Sequence, residues 1–558
     1  MPPTSNIKKR QKIVQNQYSG YIIPSPTTKI DAIDVSSSSA TITPETFFKD
    51  YVSKRKPVKI VNNDDANLQF INVKKFQLKN LQTTLNYNDE ELQVEELFQG
   101  GFGSGQKRVD MMLSDLVDEF ENGDRELYLT TQYDREGEDE EEVEREDAEK
   151  VDADNEEDKE REVEEEQVDE DEEEEEGMFE QMSNASSIDL SSLRDDFDDF
   201  DNISNEDSDY EAYQRVKTLY QPPLTNLAKH SATTTTTSSS SSSSDILPTN
   251  PPLIPNLIPQ QINIWMGKTK NHSKNAQLNF DTDQLDRSIP NNGTSSGLHH
   301  DHADNLYILV QGRKRFTIYS PNDALKLYTV GKVYKIFSNG VIDYECNEQF
   351  PHWRSIRDDG AMIEDVLHWQ LSQTEDEDET EQLNELLSVY ETKRKSIKPG
   401  KERVGNEQQS SRDPPSFSKI PPCLLHIDEV EDAKQREKLI EFANTHFPGF
   451  LELNKITVWL NAGEMLYLPA SWFHEVSSFG DAVDSNKPNG SGDVATDPGA
   501  DTRTGPGTGV HIALNYWFVP PNKDDFNNPY TDGYWEQDWQ ETKEAIELFA
   551  KGSSAVEK

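Results

Sequence analysis

Two cysteines among 558 residues, Cys346 and Cys423, are too few for a disulfide framework or a CxxC zinc site, and they suit a reducing compartment. Long apolar runs are missing too: nothing approaches the roughly 18 consecutive apolar residues of a membrane helix, so no membrane partner is expected. The N-terminal MPPTSNIKKRQKIV is polar and basic and lacks the apolar centre of a secretory signal. Cytosol or nucleus is the expected location, and KKRQK at Lys8–Lys12 reads as a nuclear address or as a solvated tail. Apolar residues make up only 33% of the chain and mean hydropathy is −0.85, so much of it cannot offset its chain entropy by burial. Positive charge is scarce: 55 Lys plus Arg face 106 Asp plus Glu, a formal charge of −51. From Asp134 to Ala212 there are 40 acids against 6 bases, a local charge of −34. Such a block is a solvating tail or an electrostatic lure for a basic partner, with Ser204 and Ser208 as phosphorylation candidates among its acids. No basic, aromatic-interleaved surface is evident, which disfavours nucleic-acid binding.

What is present falls into segments. Residues 1–40 are Ser/Thr/Pro-rich and expected to be a disordered tail. Residues 41–133 begin the folded part: Thr43 is an N-cap, Pro44 opens a helix through Phe47, Phe48, Tyr51 and Val52, and Pro57 ends it before a short strand. ELYLTTQY is a further strand. Residues 134–250, acidic and then Ser/Thr-rich, are expected to be one disordered low-complexity insertion. Strand signals fill 251–350 (INIWMGK, NLYILV, KRFTIYS, KVYKIF) and 450–535 (ITVWL, EMLYLP, HIALNYWFV), which indicates an antiparallel barrel or sandwich. Between them lies a partly helical insertion at 351–449, and a Gly/Asp/Pro-rich loop at 480–508 interrupts the second set. Residues 536–558 close with an amphipathic helix whose Trp539, Ile546, Leu548 and Phe549 cover a sheet edge or pair two subunits as a homodimer.

The stretch LHHDHADNLY, Leu298–Tyr307, packs three of the eleven histidines and two aspartates into the positions from His299 to Asp304. A His and an Asp two apart at a strand end point to one side. With a third His from a distant strand they make the 2-His-1-carboxylate set of non-heme Fe(II) oxygenases. The triplet alone is weak evidence, because it occurs at His299–Asp301, His302–Asp304 and His426–Asp428. A 2-oxoglutarate oxygenase must also hold a far carboxylate with a fixed cation and hydroxyl donors. Only the first register offers these: Ser296 lies before it, Asn305 after it, and Lys314 on the next strand beyond Gly312. The second register would place Ile308 and Thr317 at the latter offsets. The third would place Asp432 and Glu441 there, where Asp428 reads better as a helix cap.

GLHHDHADNLYILVQGRKRFTIYSP resembles the core pattern LHxDxxxNLxxxVxGxKxxxLxxP of the jumonji C (JmjC) family of 2-oxoglutarate oxygenases. INIWMGK, ITVWLNAGEMLYLPASWFHEVSS and HIALNYWF extend the resemblance over roughly 40–133, 253–350 and 450–535. It implies a mainly β fold with flanking helices, a double-stranded β-helix of jelly-roll, cupin-like type. It implies Fe(II) on His299, Asp301 and His474, and 2-oxoglutarate on Tyr128, Ser296, Asn305 and Lys314, with O2 as the other cosubstrate. Ser296 stands where threonine is usual, which keeps the hydroxyl, and Tyr133 is a neighbour that could replace Tyr128. His474 alone would read as a structural histidine, and Lys314 as a hairpin charge. His300 and His302 would face outward or toward supporting partners. Asn515 is a candidate contact to substrate or cosubstrate, and His511 reads as structural.

NLYILVQGRKRF, GKVYKIFSNGVIDY and AGEMLYLPASWFH resemble the lysyl-hydroxylase branch of that family, which acts on developmentally regulated GTP-binding proteins. That implies a protein substrate, with a lysine of a GTP-binding protein as the target. Histone lysine demethylation and tRNA-modifying hydroxylation are the alternatives, the former without an accompanying zinc reader, and no HExxH or nucleophile motif supports a peptidase. An alternative of another class is a non-catalytic, acidic binding scaffold for basic proteins.

Overall fold

The structure, a computed structural model, describes residues 14–27, 29–35, 42–61, 71–87, 90–97, 101–102, 108–132, 205–231, 246–269, 285–290, 293–397, 413–479 and 509–556. Strands β1 (Gln15–Asn16), β2 (Asp31–Asp34), β3 (Val58–Val61), β4 (Leu92–Glu96), β5 (Arg108–Met111) and β6 (Leu127–Leu129) precede the barrel. Its first half is β7 (Pro259–Lys268), β8 (Thr294–Ser295), β9 (Asp304–Gln311) and β10 (Arg313–Tyr319). After β11 (Val333–Ile336) and β12 (Ile342–Tyr344), the barrel is completed by β13 (Ile456–Asn461), β14 (Met465–Leu468), β15 (Phe473–Phe479) and β16 (Val510–Phe518).

One sheet has the order β13-β10-β15-β8, and the other centres on β14-β9-β16-β7, with β3 and β2 added at one edge and β6, β4 and β5 at the other. The chain passes between the two sheets at nearly every turn, which makes the eight central strands a double-stranded β-helix, the expected fold. Period-two alternation explains the layers. Leu306, Ile308 and Val310 of β9 and Ile512, Leu514 and Tyr516 of β16 face outward into a core roofed by helices. Tyr307, Leu309 and Ala513 face inward, where they meet Phe316, Ile318, Val458 and Leu466. Both faces of β9 and β16 are therefore apolar. Inward-facing Asn305, Tyr307, Lys314, Phe316, His474, Asn515 and Trp517 line a cavity inside the barrel.

The entry to the fold follows the sequence. Thr43 caps the Pro44–Phe47 helix by accepting from the Thr46 N–H, and the turn continues through Phe48–Val52 to β3. Three boundaries need correction. Residues 14–35 are not a loose tail, since β1 pairs with β11 and β2 with β3 in parallel, partners too remote in sequence for local patterning to reveal. The 134–250 insertion is not continuous either. Asn205–Leu219 is a helix that buries Ala212, Val216 and Leu219 in the outer core. Arg215 pins it to Asp538 and Glu541 of the terminal helix Tyr534–Val556. Its apolar stripe recurs every three or four residues, and the surrounding acids mask it. The 351–449 stretch is helical at Ile363–Gln373, Glu377–Lys395 and Ala433–His446, but the cap of the last helix is Asp432, and Asp428 belongs to the preceding 3-10 turn Pro422–Glu429.

The terminal helix covers the sheet side, with Ile546 buried and Trp539 and Phe549 packed on the outer core. The acidic stretch 134–204, the Ser/Thr-rich stretch 232–245 and the loop 480–508 lie outside the described residues. Among the described residues no helix is long and apolar enough to cross a membrane.

Candidate active site

His299 and His474 face each other as an antiparallel pair: the His299 N–H donates to the His474 carbonyl at 3.0 Å, and the His474 N–H returns to the His299 carbonyl at 2.7 Å. The Ser471 N–H then donates to the Asp301 carbonyl at 2.7 Å. Backbone pairing thus ties the near triplet to the strand that carries the distal histidine. The imidazole Nδ1 atoms sit 3.0 Å from the carbonyls of Gly297 and Trp472 respectively. A carbonyl oxygen has no proton to give, so each Nδ1 carries the hydrogen and each Nε2 is left with a free lone pair. His474 Nε2 is 3.7 Å from Asp301 Oδ2, and the three candidate ligand atoms lie within 4.8 Å of one another. Burial and the adjacent His474 push the His299 imidazole well below its usual range, so it is neutral, the form that ligates metals. Burial raises the Asp301 carboxyl, against the pull of His474 and of hydrogen bonding from Asn305 and Trp517. Among the described residues this is the one His/Cys/Asp/Glu group able to hold a metal ion.

The triad opens into a cavity of about 120 Å3. In the register of β10 against β15, Ile318 stands opposite His474 and Lys314 opposite Ser478. Four residues at about 3.3 Å each separate the backbone of Lys314 from the triad by about 13 Å, room for a small dicarboxylate between side chains that reach inward. Lys314 is 1% exposed, and its Nζ donates to the Tyr128 hydroxyl at 2.9 Å. No carboxylate lies within ion-pair distance of it among the described residues, and burial alone pulls the amine down to about 7. Two more buried hydroxyls on the cavity wall, Thr294 Oγ1 and Tyr307 Oη, have no hydrogen-bond partner among the described residues. A buried cation without an anion beside unsatisfied hydroxyls is a costly arrangement for an empty pocket and a fitting one for a carboxylate.

The cupin-like domain family's sequence profile matches residues 44–524. The chain belongs to that family. This cupin-like protein is also 30% identical over 350 residues to JmjC domain-containing protein 4 of Schizosaccharomyces pombe, an alignment spanning 53% of this chain and 63% of that protein.

The cupin-like fold brings together all seven residues expected from the sequence, with differences in detail. His299, Asp301, His474, Tyr128, Ser296, Asn305 and Lys314 all line the one cavity. Tyr128 is on β6 with its ring stacked on Phe102 at 4.5 Å, whereas Tyr133 lies outside the described residues. The Ser296 hydroxyl is already engaged: it donates to the Gly297 carbonyl and accepts from the Val476 N–H. Thr294, two residues earlier on the same face, carries the unpartnered hydroxyl, and neither its spacing nor its type marks it in the sequence. His300 and His302 are buried rather than outward, bonded to the Tyr344 hydroxyl at 2.6 Å and the Ile342 carbonyl at 2.9 Å. Asn515 accepts from Trp265 Nε1 at 2.8 Å on the cavity wall.

Proposed function

We propose that this cupin-like protein is an Fe(II)- and 2-oxoglutarate-dependent oxygenase that hydroxylates a protein side chain, with a lysine of a GTP-binding protein as the substrate. The observation that carries the reading is the pairing, within one cavity, of a two-histidine, one-carboxylate cluster with a buried lysine that has no carboxylate within ion-pair distance among the described residues. His299, Asp301 and His474 would hold the metal. Bound there with 2-oxoglutarate, iron supplies the chemistry that places one oxygen atom of O2 in a C–H bond and leaves succinate and CO2.

The chain's own groups do the rest. Lys314, with Tyr128 and Thr294, holds the remote carboxylate of the cosubstrate and fixes its direction. The Gly297 and Trp472 carbonyls set the tautomers of the two histidines. Phe316, Trp265 and Trp517 surround the cavity with apolar surface that excludes water. The lysine target rests on the sequence resemblance to the lysyl-hydroxylase branch.

Purified protein given Fe(II), 2-oxoglutarate and a basic peptide from a GTP-binding protein should form succinate and a peptide heavier by one oxygen. His299→Ala should abolish this, because it removes a metal ligand. His302→Ala, which removes a bond to the Ile342 carbonyl and ring contacts to His300, Tyr344 and Trp353 but no candidate ligand atom, should retain a large part of it. The opposite ranking, or no succinate from the unaltered protein, overturns the assignment.

A further inference from the structure

We infer that Phe417, backed by Arg287, which Asp413 holds in place, is a specificity-determining wall of the cavity on its His299 side, setting how wide a group can approach the metal position. The inference rests on the metal reading above. Phe417 comes from the 351–449 stretch, which the sequence presents as an insertion, yet its backbone is laced into the barrel. The His300 N–H donates to Ser416 O at 3.3 Å, the Ser418 N–H to Leu298 O at 2.8 Å, and the Val330 N–H to Phe417 O at 2.7 Å. The pairing delivers the phenyl ring flat against the His299 imidazole, with centroids 4.8 Å apart and planes 13° apart. Phe417 is 4% exposed and shares the cavity wall with all three ligand residues.

The Arg287 guanidinium lies 5.3 Å from the Phe417 ring centroid and pairs with Asp413 at 2.6 Å. Its other arm donates to the carbonyls of Phe102 at 2.5 Å and Ser296 at 3.2 Å. One side chain therefore joins three segments of the cavity rim. The approach at Gly101 is so close that an added Cβ would stand 2.5 Å from both Arg287 Cδ and the Ser295 carbonyl, so only glycine fits. Phe102 continues the wall to Tyr128 at the cosubstrate end. A phenyl ring can neither ligate a metal nor bond a carboxylate, so what it contributes at this place is shape and the exclusion of water.

The test uses the full chain loaded with Co(II), whose visible absorption reports ligands entering the metal's coordination, titrated with azide as a narrow probe and imidazole as a wide one. In Phe417→Ala the imidazole affinity should rise about tenfold, a change of about 1.4 kcal/mol, while azide stays within about twofold. Arg287→Met should move imidazole in the same direction. If Phe417→Ala does not fold, Phe417→Leu keeps most of the volume and should show a smaller rise of the same sign. Equal changes for both probes, or none with Co(II) bound, overturn the wall while leaving the metal site standing. Failure of the unaltered protein to take up Co(II) overturns the metal reading and the wall with it.

Discussion

Lys314 is a cation that the fold removes from water without placing an anion beside it among the described residues. Burial brings its amine to about 7, against about 10.4 for a free lysine, and the Tyr128 hydroxyl is only a neutral partner. Because the folded value is depressed, the unfolded chain binds the extra proton between about pH 7 and 10.4. The destabilisation is complete below pH 7 and fades as pH rises through that window. A dicarboxylate seated beside Lys314 restores the charged form, so its binding above pH 7 takes up a proton and weakens about tenfold per pH unit. Titration calorimetry with Mn(II) present, at pH 8 in two buffers of different ionisation heat, should find close to one proton taken up per 2-oxoglutarate. Lys314→Met should remove the uptake and cost about 2–5 kcal/mol of binding. An affinity independent of pH from 7 to 9 would sink this account. Lys314 was legible because its offset from Asp301 spans one strand and one turn, a purely local geometry. Thr294 and Phe417 were not, since their places come from tertiary pairing: β8 against β15, and residues 416–418 against 298–300.

Elements are fixed by the two triplets that do not sit in the cavity. Asp304, 0% exposed, closes the second one and opens β9. It binds the Arg55 guanidinium through both oxygens, accepts from the Tyr467 hydroxyl at 2.6 Å, and accepts from the Ala470 N–H at 2.9 Å. Trp472 Nε1 adds a bond to the Arg55 carbonyl at 3.1 Å. The turn after the first helix, β9 and the turn leading to His474 are thereby joined at one carboxylate. His426 of the third triplet lies 3.0 Å from Glu475, on the opposite face of β15 from His474. The indifference of the spacing to chemistry, which makes His-x-Asp weak evidence alone, is thus visible in three separate jobs. Arg55→Met strands a buried carboxylate and should cost about 3–5 kcal/mol, whereas Tyr467→Phe removes one neutral donor and should cost about 1 kcal/mol. Urea midpoints at unchanged slope measure both. Equal losses would mean that the ion pair is no more than another hydrogen bond. The barrel strands were legible because they are short β-branched and aromatic runs divided by Gly, Pro and Asn. β1 and β2 were not, being two and four residues long with remote parallel partners.

At the scale of the molecule, the sequence shows where charge accumulates more clearly than where folding resumes. Residues 134–204 carry 36 Asp plus Glu against 6 Lys plus Arg, yet the next residues form the Asn205–Leu219 helix against the outer core. Two deletions separate charge from fold. Removing 134–204 should leave the melting temperature within about 2 °C, because it takes away no buried apolar contact found among the described residues. Removing 134–245 also takes Val216, Leu219, Tyr220, Leu224 and Leu227, all buried. At about 1.5–3 kcal/mol for each large side chain, that loss rivals the whole 5–15 kcal/mol stability of an ordinary domain, so this variant should fail to fold. The shorter deletion can then ask what the acids do. If they draw in a basic partner, association of the full chain should weaken steeply as salt shortens the Debye length from about 10 Å at 0.1 M to about 3 Å at 1 M. The variant lacking 134–204 should lose that salt dependence while turning over a short peptide at an unchanged rate. Loss of peptide turnover on the same deletion would instead make the tract part of the catalytic apparatus, because every described residue that lines the cavity lies outside 134–204.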